Sequence, residues 1–188
     1  MGILELLLLA VGVSMDAFAV AICKGFALRG VKLKHCLWVG LWFGIFQALM
    51  PLAGYFLGVQ FRALITAVDH WIAFALLAFL GMKMIVEALS KKQETCPDAS
   101  LSSRNMLVLA VATSIDALAL GVTFAFLQVQ LIPAVCSIGL TTFIISAAGV
   151  KLGSKFGETF KNKAELFGGI ILIGIGLKIL LEHLNLLP

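Results

Sequence analysis

Apolar residues run along this chain in six long stretches, about 3–23, 36–59, 67–89, 105–127, 131–152 and 164–184, each near the ~20 residues a helix needs to cross a bilayer. Polar residues collect in the gaps. The one extended polar gap runs from Ser90 to Arg104 and carries Lys91, Lys92, Glu94, Pro97, Asp98 and several serines. The pattern predicts an all-α polytopic membrane protein with six transmembrane helices. A single membrane domain would span 1–188, divided by the linker 90–104 into a half at 1–89 and a half at 105–188.

Two apolar stretches are interrupted in the same way. Ser14-Met15-Asp16-Ala17-Phe18-Ala19-Val20 and Ser114-Ile115-Asp116-Ala117-Leu118-Ala119-Leu120 each set an aspartate well inside a predicted span. A carboxylate there costs roughly 2.5–3.5 kcal/mol at a helix centre, so a repeated pair signals use. The repetition extends further. An offset of 100 aligns the first span with the fourth, and an offset of 95 aligns the rest, so Gly44, Gly54 and Gly58 meet Gly139, Gly149 and Gly153. Likewise Gly81, Lys83 and Glu87 meet Gly176, Lys178 and Glu182. Each half holds three spans, an odd number, so the second half enters the membrane from the opposite side. The prediction is two inverted three-helix repeats, an arrangement common in secondary transporters, with the substrate site near the midplane at the repeat interface.

Charge sets the expected orientation. Eleven of the 14 Lys and Arg residues fall on one face: Lys24, Arg29, Lys32 and Lys34 in the first loop, Lys91, Lys92 and Arg104 in the linker, and Lys151, Lys155, Lys161 and Lys163 in the fifth loop. The opposite face has Arg62, while Lys83 and Lys178 lie inside helices near their ends. Basic loops stay cytoplasmic, which places both termini outside. The first span has no basic residue before it and reads as a retained helix, not a cleaved signal peptide.

Composition agrees with a lipid setting: 61% hydrophobic residues, 13% charged and a mean hydropathy of +1.08. The net charge of +4 is then the orientation signal spread over loops, and calls for no nucleic-acid partner. The expected partners are the bilayer and the transported ion, with room for a homo-oligomer.

Two ionised carboxylates facing each other in a low-dielectric interior repel, so such a site takes up a proton or a cation, and a divalent ion neutralises both. Carboxylate, hydroxyl and carbonyl oxygens suit hard ions such as Mg²⁺, Ca²⁺ and Mn²⁺. Asp16 and Asp116 are the first metal ligands expected. Thr113, at i−3 from Asp116, and the matched pair Gln47 and Thr142 of the second and fifth spans are expected to complete the set. Ser14 and Ser114 lie roughly 200° round a helix from the aspartates and are expected to face elsewhere.

Other polar residues have plainer readings. Lys83/Glu87 and Lys178/Glu182 are i, i+4 pairs that read as intrahelical ion pairs or snorkelling side chains. Lys24 reads as an anchor and Asp69-His70-Trp71 as an aromatic-belt end. The spacings Gly40/Gly44, Gly54/Gly58 and Gly149/Gly153 read as helix packing. Cys23, Cys36, Cys96 and Cys136 form no C-x-x-C, and Cys36 and Cys96 are expected as reduced cytoplasmic thiols. No phosphate-binding loop occurs, so an ion gradient, the membrane potential or the substrate's own gradient must supply the energy, and no cofactor is implied. Proton-coupled exchange is natural where an Asp that releases metal accepts a proton. Competing readings are an exporter of another divalent metal or a cationic amino acid, an enzyme using two aspartates as acid and base, and a structural subunit. The enzyme reading lacks any His or Ser constellation round the pair.

Ser-Met-Asp-Ala-Phe-Ala-Val at 14–20 with Cys-Lys-Gly at 23–25, Phe-Gly-Ile-Phe-Gln-Ala-Leu-Met-Pro-Leu-Ala-Gly at 43–54, His-Trp-Ile-Ala-Phe at 70–74 and Thr-Ser-Ile-Asp-Ala-Leu-Ala at 113–119 resemble the MntP-type manganese efflux pumps. The likeness covers the whole chain. It implies export of Mn²⁺ across the bacterial inner membrane in manganese homeostasis, with Asp16 and Asp116 on the transport path. Some members of that family carry an acidic residue at the place of Gln47, so a third carboxylate is not available there.

Overall fold

The computed structural model describes residues 3–28, 30–65, 69–89, 100–156 and 159–183. Residues 90–99 of the polar linker, and the side chains of Arg62, Asp69, His70, Glu87, Lys161, Lys163 and Glu182, lie outside the described residues. Those described form seven helices and no strand: α1 (Ile3–Ala27), α2 (Leu33–Ile65), α3 (Asp69–Leu89), α4 (Ser103–Ala112), α5 (Ile115–Phe126), α6 (Leu131–Phe156) and α7 (Thr159–His183). The chain is therefore all-α, as expected.

Three of these helices are long and apolar enough to cross a membrane: Leu4–Ala27, Leu33–Gln60 and Leu131–Lys155, of 24, 28 and 25 residues. The apolar stretches in α3 and α7, Trp71–Val86 and Leu166–Leu181, are shorter. Large apolar side chains project outward, among them Leu41, Ile45 and Leu49 on α2 and Ile132, Leu140 and Ile144 on α6. Water would not tolerate such continuous apolar rows; lipid does.

The fourth expected span is not one helix. α4 and α5 meet at a bend of 44° between Ala112 and Ile115. Two consecutive hydroxyl residues sit at the break, and they offer the backbone alternatives to the helical ladder. Thr113 Oγ1 donates to the Leu109 and Ala110 carbonyls at 3.0 and 3.3 Å, and the Ser114 amide bonds Val111 O, three residues back. The matching place in α1 holds Val13 before Ser14, and there the helix continues unbroken. Ser14 Oγ merely donates back to Ala10 O at 2.6 Å, which a continuous helix accommodates.

Helices before residue 90 pack chiefly on helices after residue 100: α1 against α6 and α7, α2 against α6 and α5, α3 against α7. Glycine permits the closest of these approaches. A Cβ on Gly54 of α2 would fall 2.0 Å from Leu118 O of α5, and one on Gly153 of α6 would fall 2.0 Å from Ile22 O of α1. Register repeats as well. Gly54 meets Leu118 and Gly121, and Gly149 meets Phe18 and Ala21, the same positions at offsets of 95 and 100. The core between these crossings includes Leu9, Val13, Leu77, Leu120, Phe124, Ile138 and Leu172.

At the end of α1, Lys24 is fully buried and its Nζ donates to Ser100 O at 3.0 Å. Beside it, Trp38 Nε1 donates to Leu101 O at 3.3 Å. Together they fix the segment that leads into α4. Lys24 is thus a buried tie rather than a surface anchor. Cys36 and Cys136 are free thiols and Cys23 is disulfide-bonded, a bond that sequence spacing gave no reason to expect.

Candidate functional site

Asp116 lies in the first turn of α5, directly after the break. Its Oδ1 accepts the Ala117 amide at 2.8 Å, so the carboxylate sits among the free N–H groups and positive dipole end of that helix. The residue is 6% exposed, and Oδ2 is buried with no hydrogen-bond partner. A buried carboxylate oxygen is costly to leave unmatched.

Asp16 sits mid-way along α1, its side chain 12% exposed, with Oδ2 3.8 Å from Lys83 Nζ of α3. Asp16 and Lys83 both act on the Asp116 carboxyl through space. Three charged groups from α1, α3 and α5 therefore share one region of the interior. Lys83 was expected to pair along its own helix with Glu87, whose side chain lies outside the described residues; it also reaches across to Asp16. Its counterpart Lys178 on α7 likewise bonds across to another helix, at Glu5 of α1.

Around the aspartates, a second polar layer joins the serines to α2 and α6. Ser14 Oγ and Thr142 Oγ1 lie 2.7 Å apart. Because the Ser14 proton goes to Ala10 O, the Thr142 hydroxyl is the donor between them. Ser114 Oγ donates to Gln47 Oε1 at 2.9 Å, and Gln47 Nε2 donates to Val13 O at 3.2 Å. All four side chains are fully buried. The same two positions thus meet twice, 14 with 142 and 114 with 47. The serines face away from the carboxylates, as helical spacing required, and take Gln47 and Thr142 as their partners.

Of the five expected ligands, Asp16 and Asp116 are near enough to act on each other through space. Thr113 stands at the break with its hydroxyl turned to helix carbonyls, and Gln47 and Thr142 brace the segments that carry the aspartates. Sequence reasoning missed Lys83, and also Ser146, buried on α6 with an unpartnered Oγ. The signal for Lys83 was present: two lysines at matched places inside apolar helices, in a chain with two matched intramembrane aspartates. Among the described residues no three His, Cys, Asp or Glu side chains gather. A cation here would be completed by hydroxyl, carbonyl or water oxygens, a donor set for hard ions.

The sequence profile of a family described as "Putative manganese efflux pump" matches residues 30–180. The chain belongs to this family. Relatives described in the same words, as MntP, are found in Desulfitobacterium hafniense, 57% identical over 100% of this chain and 98% of the relative, and in Acetivibrio thermocellus, 55% identical over 100% and 94%. A third, from Mannheimia succiniciproducens, is 51% identical over 97% of this chain and 98% of its own length. No solved structure matches. The MntP family is one of transporters, which agrees with apolar helices and an acidic interior and leaves the two-aspartate enzyme reading without support.

Proposed function

We propose that this chain exports Mn²⁺ from the cytoplasm across the bacterial inner membrane, binding it between Asp16 and Asp116. The observation that carries this reading is the unpartnered, buried Oδ2 of Asp116 within electrostatic reach of a second carboxylate. Two carboxylates neutralise one divalent ion, and among the described residues no cluster of three or more His, Cys, Asp or Glu side chains gathers that would favour zinc or copper, which outcompete manganese at softer sites. The description of the relatives as manganese efflux pumps supplies the metal and the outward direction.

In this reading the chain has six spans in two inverted repeats with both termini outside, α4 and α5 serving as one bent span. The repeated contacts of Ser14 with Thr142 and Ser114 with Gln47 support the repeat. Thr113 and the carbonyls at the break lend oxygen to the ion. Gln47 and Thr142 join the ligand set only after parting from their serines, and otherwise hold the aspartate segments in register. Rocking of one half on the other exposes the pair to each side in turn, and protons taken up by the aspartates on release return the empty carrier.

The test is Mn²⁺ flux in proteoliposomes. Asp16→Asn and Asp116→Asn keep volume and remove charge, and each should lower flux at least about 10- to 100-fold, the loss expected from removing even an outer-shell metal partner. Flux equal to wild type in both variants would overturn the proposal. A rate indifferent to a pH gradient would remove the proton-coupling part.

One observation favours a second reading, export of a cationic amino acid: an ammonium already stands against Asp16 in the structure. Lysine counterflow in the same vesicles, without Mn²⁺ flux, would move the assignment there.

A further inference from the structure

Lys83 stands where a cation would be wanted. Its Nζ is 3.8 Å from Asp16 Oδ2, longer than the roughly 2.7–2.9 Å of a tight charge-assisted hydrogen bond. It also acts on Asp116, whose Oδ2 has no hydrogen-bond partner. One ammonium thus acts on both carboxylates. The matching lysine on α7, Lys178, is held by Glu5, so the acid pair is approached by a lysine from the α3 side.

Charge counting gives the consequence. Counted on ionised carboxylates, the pair with Lys83 carries one negative charge, which a single proton cancels; the pair with a divalent ion carries none; all four together carry one positive charge in a low-dielectric interior, beside a doubly charged ion. The last arrangement is disfavoured. Lys83 has a way out, because its side chain is 44% exposed and carries its charge on a flexible four-carbon stem.

We propose that Lys83 is a tethered counter-ion of the aspartate pair, holding it between transport cycles and leaving when a divalent cation arrives. This rests on the reading of Asp16 and Asp116 as the transport site. It makes Lys83 a specificity-determining residue: a monovalent ion gains nothing by replacing a charge equal to its own, whereas a divalent ion does.

The experiment is equilibrium dialysis of Mn²⁺ against the purified full chain, with Na⁺ as competitor. Lys83→Gln and Lys83→Met should bind Mn²⁺ roughly fivefold more tightly, the factor that accompanies loss of a half-exposed ion pair at its stronger end. Na⁺ should begin to compete in both. Lys83→Arg, which keeps the charge and grips carboxylates better, should bind no more tightly than wild type. A second measurement needs no variant: Mn²⁺ should increase labelling of Lys83 by an amine-reactive reagent in the wild-type chain. Unchanged or weaker Mn²⁺ binding in the neutral variants, or Mn²⁺ protection of Lys83, would overturn the counter-ion role while leaving the aspartate site standing. Wild-type binding that survives Asp16→Asn and Asp116→Asn would instead overturn the site itself, and the counter-ion role with it.

Discussion

Two buried serines decide where the polar atoms around the aspartates go. Ser114 supplies the hydrogen that Gln47 Oε1 accepts, and Gln47 in turn covers the Val13 carbonyl on α1. Ser114→Ala would leave that amide oxygen buried without a donor, at a cost of about 1–3 kcal/mol. The expected result is a clear fall in the thermal unfolding midpoint of the purified chain in detergent; an unchanged midpoint would mean that Gln47 finds another donor. At this level the sequence was half legible. Asp16 and Asp116 stood out because an intramembrane carboxylate is expensive, and their duplication argued for a shared role. Lys83 was hidden by a local alternative: with Glu87 four residues on, an intrahelical pair satisfies the same charge, and only the packing of α3 on its neighbours reveals Asp16. Gln47 and Thr142 were correctly picked out as matched polar positions, but which groups they would touch depended on interhelical geometry.

Between helices, the decisive features are one break and a few backbone-to-backbone approaches. Hydrophobicity alone predicted an uninterrupted span over 105–127, since a 44° bend leaves the apolar composition untouched. The difference from α1 is traceable to Thr113 where the first half has Val13, giving two hydroxyls in succession directly before the aspartate. Helix ends also ran past the apolar windows, as in α2, which extends to Ile65; hydropathy marks the membrane-facing length, whereas backbone hydrogen bonding continues beyond it. The glycine spacings were legible as packing signals, and the contact at Gly54 is their sharpest case. Gly54→Ala would press a methyl to 2.0 Å from the Leu118 carbonyl oxygen, backbone that no side-chain rotation can clear. Overpacking of about 1–3 kcal/mol or more follows, with α2 and α5 forced apart. Gly174→Ala meets nothing within 4 Å and is the control. Folded yield after solubilisation should collapse for the first and hold for the second; equal yields would contradict the close crossing.

The two halves of the chain are built into one another. Their principal helix contacts cross from one half to the other, so the aspartate segments of α1 and α5 are positioned by helices from the opposite half, α6 and α2. The sequence suggested a division at the polar linker but not the interleaving, because repeats state only what is similar and say nothing of what packs on what. The family likeness of the whole chain was legible in the duplicated Ser-x-Asp-Ala motif and is now matched by the family profile over 30–180. Interleaved halves that each contribute one carboxylate make a definite claim: one divalent ion is shared, rather than one held by each half. Electron paramagnetic resonance of Mn²⁺ titrated into the purified full chain tests it most directly. The account predicts one bound ion per chain, lost as completely in Asp16→Asn or Asp116→Asn alone as in the double variant. Two ions bound, or losses that add independently from the two substitutions, would contradict it.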